Sequence, residues 1–238
     1  MSQHRQRPLP DGGGWRVHPD PGRLPRLTDE GPGRNRYDDP HGFYGVRYVA
    51  EELTGALLET MARFRPAPNA ESRLAAVVGV DPDELDHHDP TQAVEDWLRA
   101  QRVARVTLDE PRPLVDVHDP TLLAALAKHP LVQAAIEGSG LGTRRNPATL
   151  DEGVIRLGGP VGRPITQAAS RAIHDWFPDY GGIAYRSRLD DEEWCWALWD
   201  DTPVVIESEP LDPERRHHRQ GVRYAARRLE ILLPDRWA

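Results

Sequence analysis

The apolar positions of this chain change period along its length, and the changes mark its elements. Residues 15–18 and 43–49 are rich in aromatic and β-branched side chains and predict two early strands. Between 54 and 64 the period switches. Leu53, Leu57, Leu58, Met61 and Ala62 recur at three and four residues, the stripe of an amphipathic helix, and Pro66 and Pro68 end it. Thr91 can cap a second helix running to Arg99, with Val94, Trp97 and Leu98 on one face. Residues 103–108 alternate apolar and polar as a half-buried strand does, and 113–117 reads as its partner across the turn at Pro111. A helix from Asp119 or Thr121 toward Ile136 is bent or broken at Pro130. Residues 165–176 predict a helix with Ala168, Ala169, Ala172, Ile173 and Trp176 inward, and three strands follow at 182–188, 194–199 and 203–207. Helices in the middle and strands gathered toward the end predict a single α+β domain rather than regular βαβ winding.

Residues 1–14 read as a polar, disordered lead closed by Gly12, Gly13 and Gly14. The domain proper is expected over 15–206, with an Arg-rich extension over 207–238. The formal net charge is −8, which argues against a general nucleic-acid binder, because such a protein needs a basic surface to release counterions from phosphates. No run approaches the length of a membrane span, and the N-terminus lacks the apolar segment of a secretory signal, so a cytoplasmic, soluble protein is expected. The lone Cys195 excludes an internal disulfide. Lys128 is the only lysine among 30 basic residues, a coding bias that makes abundant arginine uninformative by itself.

Several constellations resolve to bland readings. Gly138, Gly140 and Gly142 do not make a dinucleotide fingerprint, since Thr143 stands where the third glycine belongs and the segment follows a helix; a helix end and loop is expected. The pairs His87-His88 and His217-His218 lack metal-ligand spacing and read as solvated loop histidines. Ser187 has no nucleophile-elbow context and reads as a hydrogen-bonding pocket wall. Trp194 and Trp196 share one strand face with Trp199 on the other, as core residues, and Cys195 lies opposite the first two. Arg215, Arg216, Arg219, Arg223, Arg227 and Arg228 form a solvated or partner-binding basic face.

What remains is an ordered series: Trp15-Arg16-Val17, Arg36-Tyr37, Tyr44-Gly45-Val46-Arg47-Tyr48, Thr54 through Glu59, Gly182 through Ser187, and Ala197-Leu198-Trp199. In this order the chain resembles the RES-domain family, named for an Arg, a Glu and a Ser. It departs from that family at Asp38-Asp39, where members often carry an Asn-Pro-type turn, and in the long stretch 65–165. The resemblance implies an ADP-ribosyltransferase-like core with NAD bound in a cleft. It further implies a toxin of a toxin–antitoxin pair that consumes NAD by phosphorolysis or hydrolysis of the nicotinamide–ribose bond. The implied partner is an antitoxin with an Xre-like helix-turn-helix domain. No cofactor is implied: NAD is the substrate, and inorganic phosphate a candidate co-substrate.

The residue types suit that chemistry. Guanidinium forks match pyrophosphate oxygens and stay charged, which makes Arg16 and Arg36 the candidate clamp. An electron-rich ring, Tyr44 or Tyr48, suits the cationic pyridinium. Glu59 is the candidate for stabilising positive charge at the ribose C1′ as the glycosidic bond opens, with Ser187 bonding the ribose or the amide. Neutral nicotinamide needs no strong acid to leave. Two other readings stand beside this one: a protein ADP-ribosyltransferase using the same cleft, and a catalytically silent binding module.

Overall fold

The computed structural model describes residues 4–19, 33, 35–66, 90–142 and 148–238. Its elements run in chain order as β1 (Gly14–Pro19), β2 (Val46–Ala50), α1 (Leu53–Met61), α2 (Pro90–Arg99), β3 (Gln101–Leu108), β4 (Leu114–Asp116), α3 (Pro120–Leu126), α4 (Pro130–Gly138), α5 (Glu152–Ile155), α6 (Gly159–Trp176), β5 (Gly182–Arg186), β6 (Trp194–Trp199), β7 (Val204–Pro210) and α7 (Arg216–Leu229). The strands form one seven-stranded sheet in the order β4-β5-β6-β2-β1-β3-β7. Every pairing is antiparallel except β4 with β5. The α+β class is as expected.

One junction in the sheet differs from the rest. Strand β1 pairs with β3 over six residues and β2 with β6 over five, yet β1 meets β2 only at Trp15 and Ala50. Beyond that point the two strands part. The sheet is therefore two ladders hinged at one residue pair, and the gap between them is where the candidate residues Arg16, Arg36 and Glu59 gather.

Both faces of the sheet are covered. On one, α1 and α7 pack so closely that a Cβ on Gly221 would stand 2.8 Å from Leu57 Cδ1. Leu57, Leu58 and Met61 are fully buried there, and each such side chain contributes about 1.5–3 kcal/mol. Trp194, Trp196 and Leu198 point to the opposite face with Val49 and Val106, while Cys195 and Trp199 belong to the first, as strand alternation requires.

Three expectations are corrected and one is met. Residues 4–13 are not a loose lead. Arg7 N–H donates to Leu114 O at 2.9 Å, Trp196 Nε1 donates to Arg7 O at 3.0 Å, and the Arg7 guanidinium lies 3.7 Å from the Trp194 ring centroid. The segment 113–117 does not pair with β3, because β1 and β7 already occupy both edges of that strand; it pairs in parallel with β5 instead. The helix starting at Asp119 breaks ahead of Pro130 as expected, giving two helices with His129 capping the second. The Arg-rich tail is part of the domain: β7 follows β3 as far as Pro210, and α7 buries Val222, Ala225, Ala226 and Leu229. The His87-His88 pair lies outside the described residues. Among the described residues no helix is long and apolar enough to cross a membrane.

Truncation after Pro210 would strip α7 from the buried face of α1, so the shortened chain is expected to lose the cooperative thermal transition of the full chain, read by circular dichroism. Leu57→Ala in the full chain should cost about 2–5 kcal/mol in urea unfolding, as a fully buried leucine does.

Candidate active site

The parting of β1 and β2 opens a cleft of about 390 Å3. Strand β1 contributes Trp15, Arg16 and Val17, and β2 contributes Tyr48, Val49 and Ala50. Helix α1 brings Glu59 to the floor, the turn before β2 brings Arg36, and Tyr185 and Cys195 come from β5 and β6. Arg16, Arg36 and Glu59, spread over 44 positions of sequence, thus share one hollow.

Glu59 is held from behind. Ser187 Oγ donates to Glu59 Oε1 at 2.6 Å. The same Oγ accepts the backbone N–H groups of Leu189 at 3.1 Å and Asp190 at 3.4 Å. Both lone pairs of the hydroxyl are thereby engaged, and its one proton has the carboxylate as its destination. Ser187 follows the last residue of β5, where its own N–H bonds Glu193 O at 3.0 Å and closes the turn to β6. It is fully buried and does not line the cleft. The structure does not bring Ser187 to the cleft wall, where contact with ribose or amide was expected, but sets it behind Glu59.

The two arginines are cations short of partners. Arg16 Nη1 reaches Tyr48 O at 3.4 Å across the gap, and its buried Nε has no acceptor. Burial, and then the charge of Arg47, pull its pKa down to about 10, against a smaller opposing contribution from Tyr48. Arg36 Nη2 donates to Ile155 O at 2.8 Å, while its buried Nε and Nη1 have no acceptor. Its guanidinium carbon lies 5.1 Å from the Tyr37 ring centroid and 5.3 Å from that of Tyr185. Burial works to lower the Arg36 pKa, but Tyr37, Tyr185, Glu59 and Tyr48 outweigh it and hold the group above its ordinary value. Buried N–H donors of a cation left unpaired are costly, and an anion entering between the arginines would relieve that cost.

The two tyrosines separate cleanly. Tyr48 lines the cleft. Tyr44 does not: its ring stacks on His174 at 4.2 Å and 8°, meets Trp199 edge-on, and its hydroxyl lies 3.0 Å from Ser170 Oγ. Burial, outweighing the Ser170 hydrogen bond, pushes the Tyr44 phenol above its ordinary range. The expectation that Tyr44 stacks on a ligand is corrected, because α6 covers it completely enough to make it core.

With this geometry in view, the comparisons are direct. The RES domain matches residues 14–220 of the chain. The chain belongs to the RES-domain family. Among solved structures it is similar to the crystal structure of the M. tuberculosis MbcT-MbcA toxin-antitoxin complex, at 13% identity and a TM-score of 0.45, with 88% of this chain and 87% of that chain covered. No curated protein gives a match. The matched span runs into α7, in keeping with the integral role of that helix.

Sequence reasoning missed part of this RES cleft. Arg63, Arg163 and Arg188 stand at its rim, so that among the described residues five guanidiniums and one carboxylate, Glu59, line the cleft, although the chain as a whole carries −8. Arg63 was within reach of inspection, one helical turn beyond Glu59 on the same face. Arg163 and Arg188 were not, since only folding brings them to the rim.

His217-His218 also needs correction, because His218 is fully buried within α7. Its rings and Glu209 offer ligand atoms within 4.8 Å of one another. However, Asp212 N–H donates to His218 Nδ1 at 3.1 Å, which leaves the proton of the neutral ring on Nε2, facing Glu209 at 3.3 Å. That nitrogen is a donor, not a metal ligand.

Replacing the buried, under-partnered Arg16 by Met should stabilise the free RES domain by about 1 kcal/mol or more. Urea unfolding of both proteins checks it.

Proposed function

We propose that this RES domain is an NAD-degrading enzyme acting as the toxin of a toxin–antitoxin pair, with phosphorolysis or hydrolysis of the nicotinamide–ribose bond as its reaction. The observation that carries the reading is the convergence of Arg16, Arg36 and the Ser187-held Glu59 on one cleft. Arg16 and Arg36 line the cleft and, among the described residues, neither is paired with a carboxylate, so their guanidiniums suit the oxygens of a pyrophosphate. Tyr48 then stands on the wall where a cationic ring can pack.

In the chemical step the C1′–N bond breaks and its electron pair returns to the pyridinium nitrogen, so that nicotinamide leaves neutral. Positive charge grows at the ribose C1′, and the Glu59 carboxylate stabilises it at close range. The Ser187 bond keeps Glu59 in one rotamer, so little reorganisation accompanies the charge development. An oxygen of water or inorganic phosphate bonds to C1′, and water gives its surplus proton to solvent. The toxin role and an antitoxin partner bearing an Xre-like helix-turn-helix domain rest on the family resemblance of the motif series.

Purified protein incubated with NAD should release nicotinamide, and dependence on added phosphate separates phosphorolysis from hydrolysis. Glu59→Gln should lower kcat by about 100–1000-fold, the magnitude typical of a lost transition-state charge partner. Ser187→Ala should lower it by about tenfold with KM little changed, since only positioning is lost. Transfer of label from NAD to a protein would instead favour the ADP-ribosyltransferase reading. A growth phenotype indifferent to Glu59→Gln in a folded protein would favour the silent binding module.

A further inference from the structure

Asp38 is fully buried, and among the described residues no basic side chain lies within ion-pair distance of it. Its carboxylate is nevertheless fully employed. Oδ1 accepts the Tyr48 hydroxyl at 2.8 Å. Oδ2 accepts Asn35 N–H at 2.7 Å and Asn35 Nδ2 at 3.0 Å. The Tyr48 hydroxyl in turn accepts Tyr37 N–H at 2.9 Å. The residues on either side of Arg36 are thus tied, Asn35 directly and Tyr37 through Tyr48, to one carboxylate. Gly33 completes the fit, since a Cβ there would fall 2.0 Å from the Asp38 Cβ. From α6, Gln167 Nε2 holds Gly33 O at 2.7 Å and Asn35 O at 2.9 Å, and Ser170 Oγ holds Tyr37 O at 2.7 Å.

We propose that Asp38 is the positioning residue of this cleft, a buried acceptor that locks the backbone around Arg36 and the ring of Tyr48 into one joint arrangement for the incoming dinucleotide. The inference rests on the reading of the cleft as a dinucleotide site and adds to it the device that presets the clamp. An acceptor with two oxygens is required, because three donors converge on it from opposite sides. Asparagine offers one oxygen and turns an N–H pair toward donors on the other side. A misaligned Arg36 weakens the grip on the pyrophosphate equally in ground and transition states, so the loss falls on KM rather than kcat.

The test compares wild type, Asp38→Asn, Tyr48→Phe and the double variant. The readouts are NAD turnover, calorimetric titration with ADP as the pyrophosphate probe, and thermal melting. Asp38→Asn is expected to raise KM for NAD and Kd for ADP at least tenfold with kcat within threefold. The double variant should be no worse than the worse single one, because both substitutions break the same linkage. If Asp38→Asn does not fold, Tyr48→Phe carries the test, with an expected rise of about fivefold in both constants. A folded variant with a lowered melting temperature but KM and Kd within twofold of wild type would mean a structural role only and overturns the inference. A wild-type protein that binds ADP but does not turn over NAD overturns the proposed reaction while the ADP titration still decides on Asp38. A wild type that binds neither overturns both.

Discussion

The guanidiniums of Arg16 and Arg36 meet at the cleft with buried nitrogens that no acceptor reaches among the described residues. A chain keeps such groups only where neighbouring structure holds them in place against the cost of desolvation. Here the holding structure is the sheet itself. Because β1 and β2 pair at Trp15 and Ala50 and then separate, Arg16 can lie in the gap with one nitrogen on the Tyr48 carbonyl and another free. On the far wall, Arg36 is kept by the Tyr37 and Tyr185 rings and by the Ile155 carbonyl. None of these partners is an anion, so the arginines remain available to one. The cleft is cationic in a chain that is acidic overall.

The carboxylate is treated in the opposite way. Glu59 is satisfied on one side by Ser187, whose hydroxyl has no other use for its proton, and faces the cleft on the other. The loop that supplies Ser187 is itself tied to the C-terminal helix, since Tyr224 donates to Asp190 at 2.7 Å and Arg228 reaches the same carboxylate at 3.3 Å. Packing of α7 on α1 and bonding of α7 to this loop therefore act on the two members of the Glu59–Ser187 pair from one element. An arginine-rich segment that reads as a surplus tail is part of the support of the site.

Much of this was legible because it is local. The stripe Leu53, Leu57, Leu58 and Met61 faces inward as its spacing requires, and alternation in β6 separates Trp194 and Trp196 from Trp199. The order of the motif series sufficed to bring Arg16, Arg36, Tyr48 and Glu59 into one group. Other features were masked by composition. The apolar stripe of α7, at Val222, Ala225, Ala226 and Leu229, is present in the chain but lies among arginines that read as solvated. The N-terminal residues have no periodicity, and Arg7 is ordered by partners from the sheet, the Trp194 ring, Trp196 Nε1 and Leu114 O.

Local periodicity and residue type, then, determined by themselves the α+β class and the inward faces of most elements. Tertiary structure alone decided which tyrosine faces the cleft, that Ser187 stands behind Glu59 rather than beside the ligand, and that β4 joins β5. The reason is one of range. Spacing along a chain fixes which side of a helix or strand a group occupies, whereas burial of Tyr44 under α6, the filled edges of β3 and the Ser187–Glu59 bond depend on partners distant in sequence.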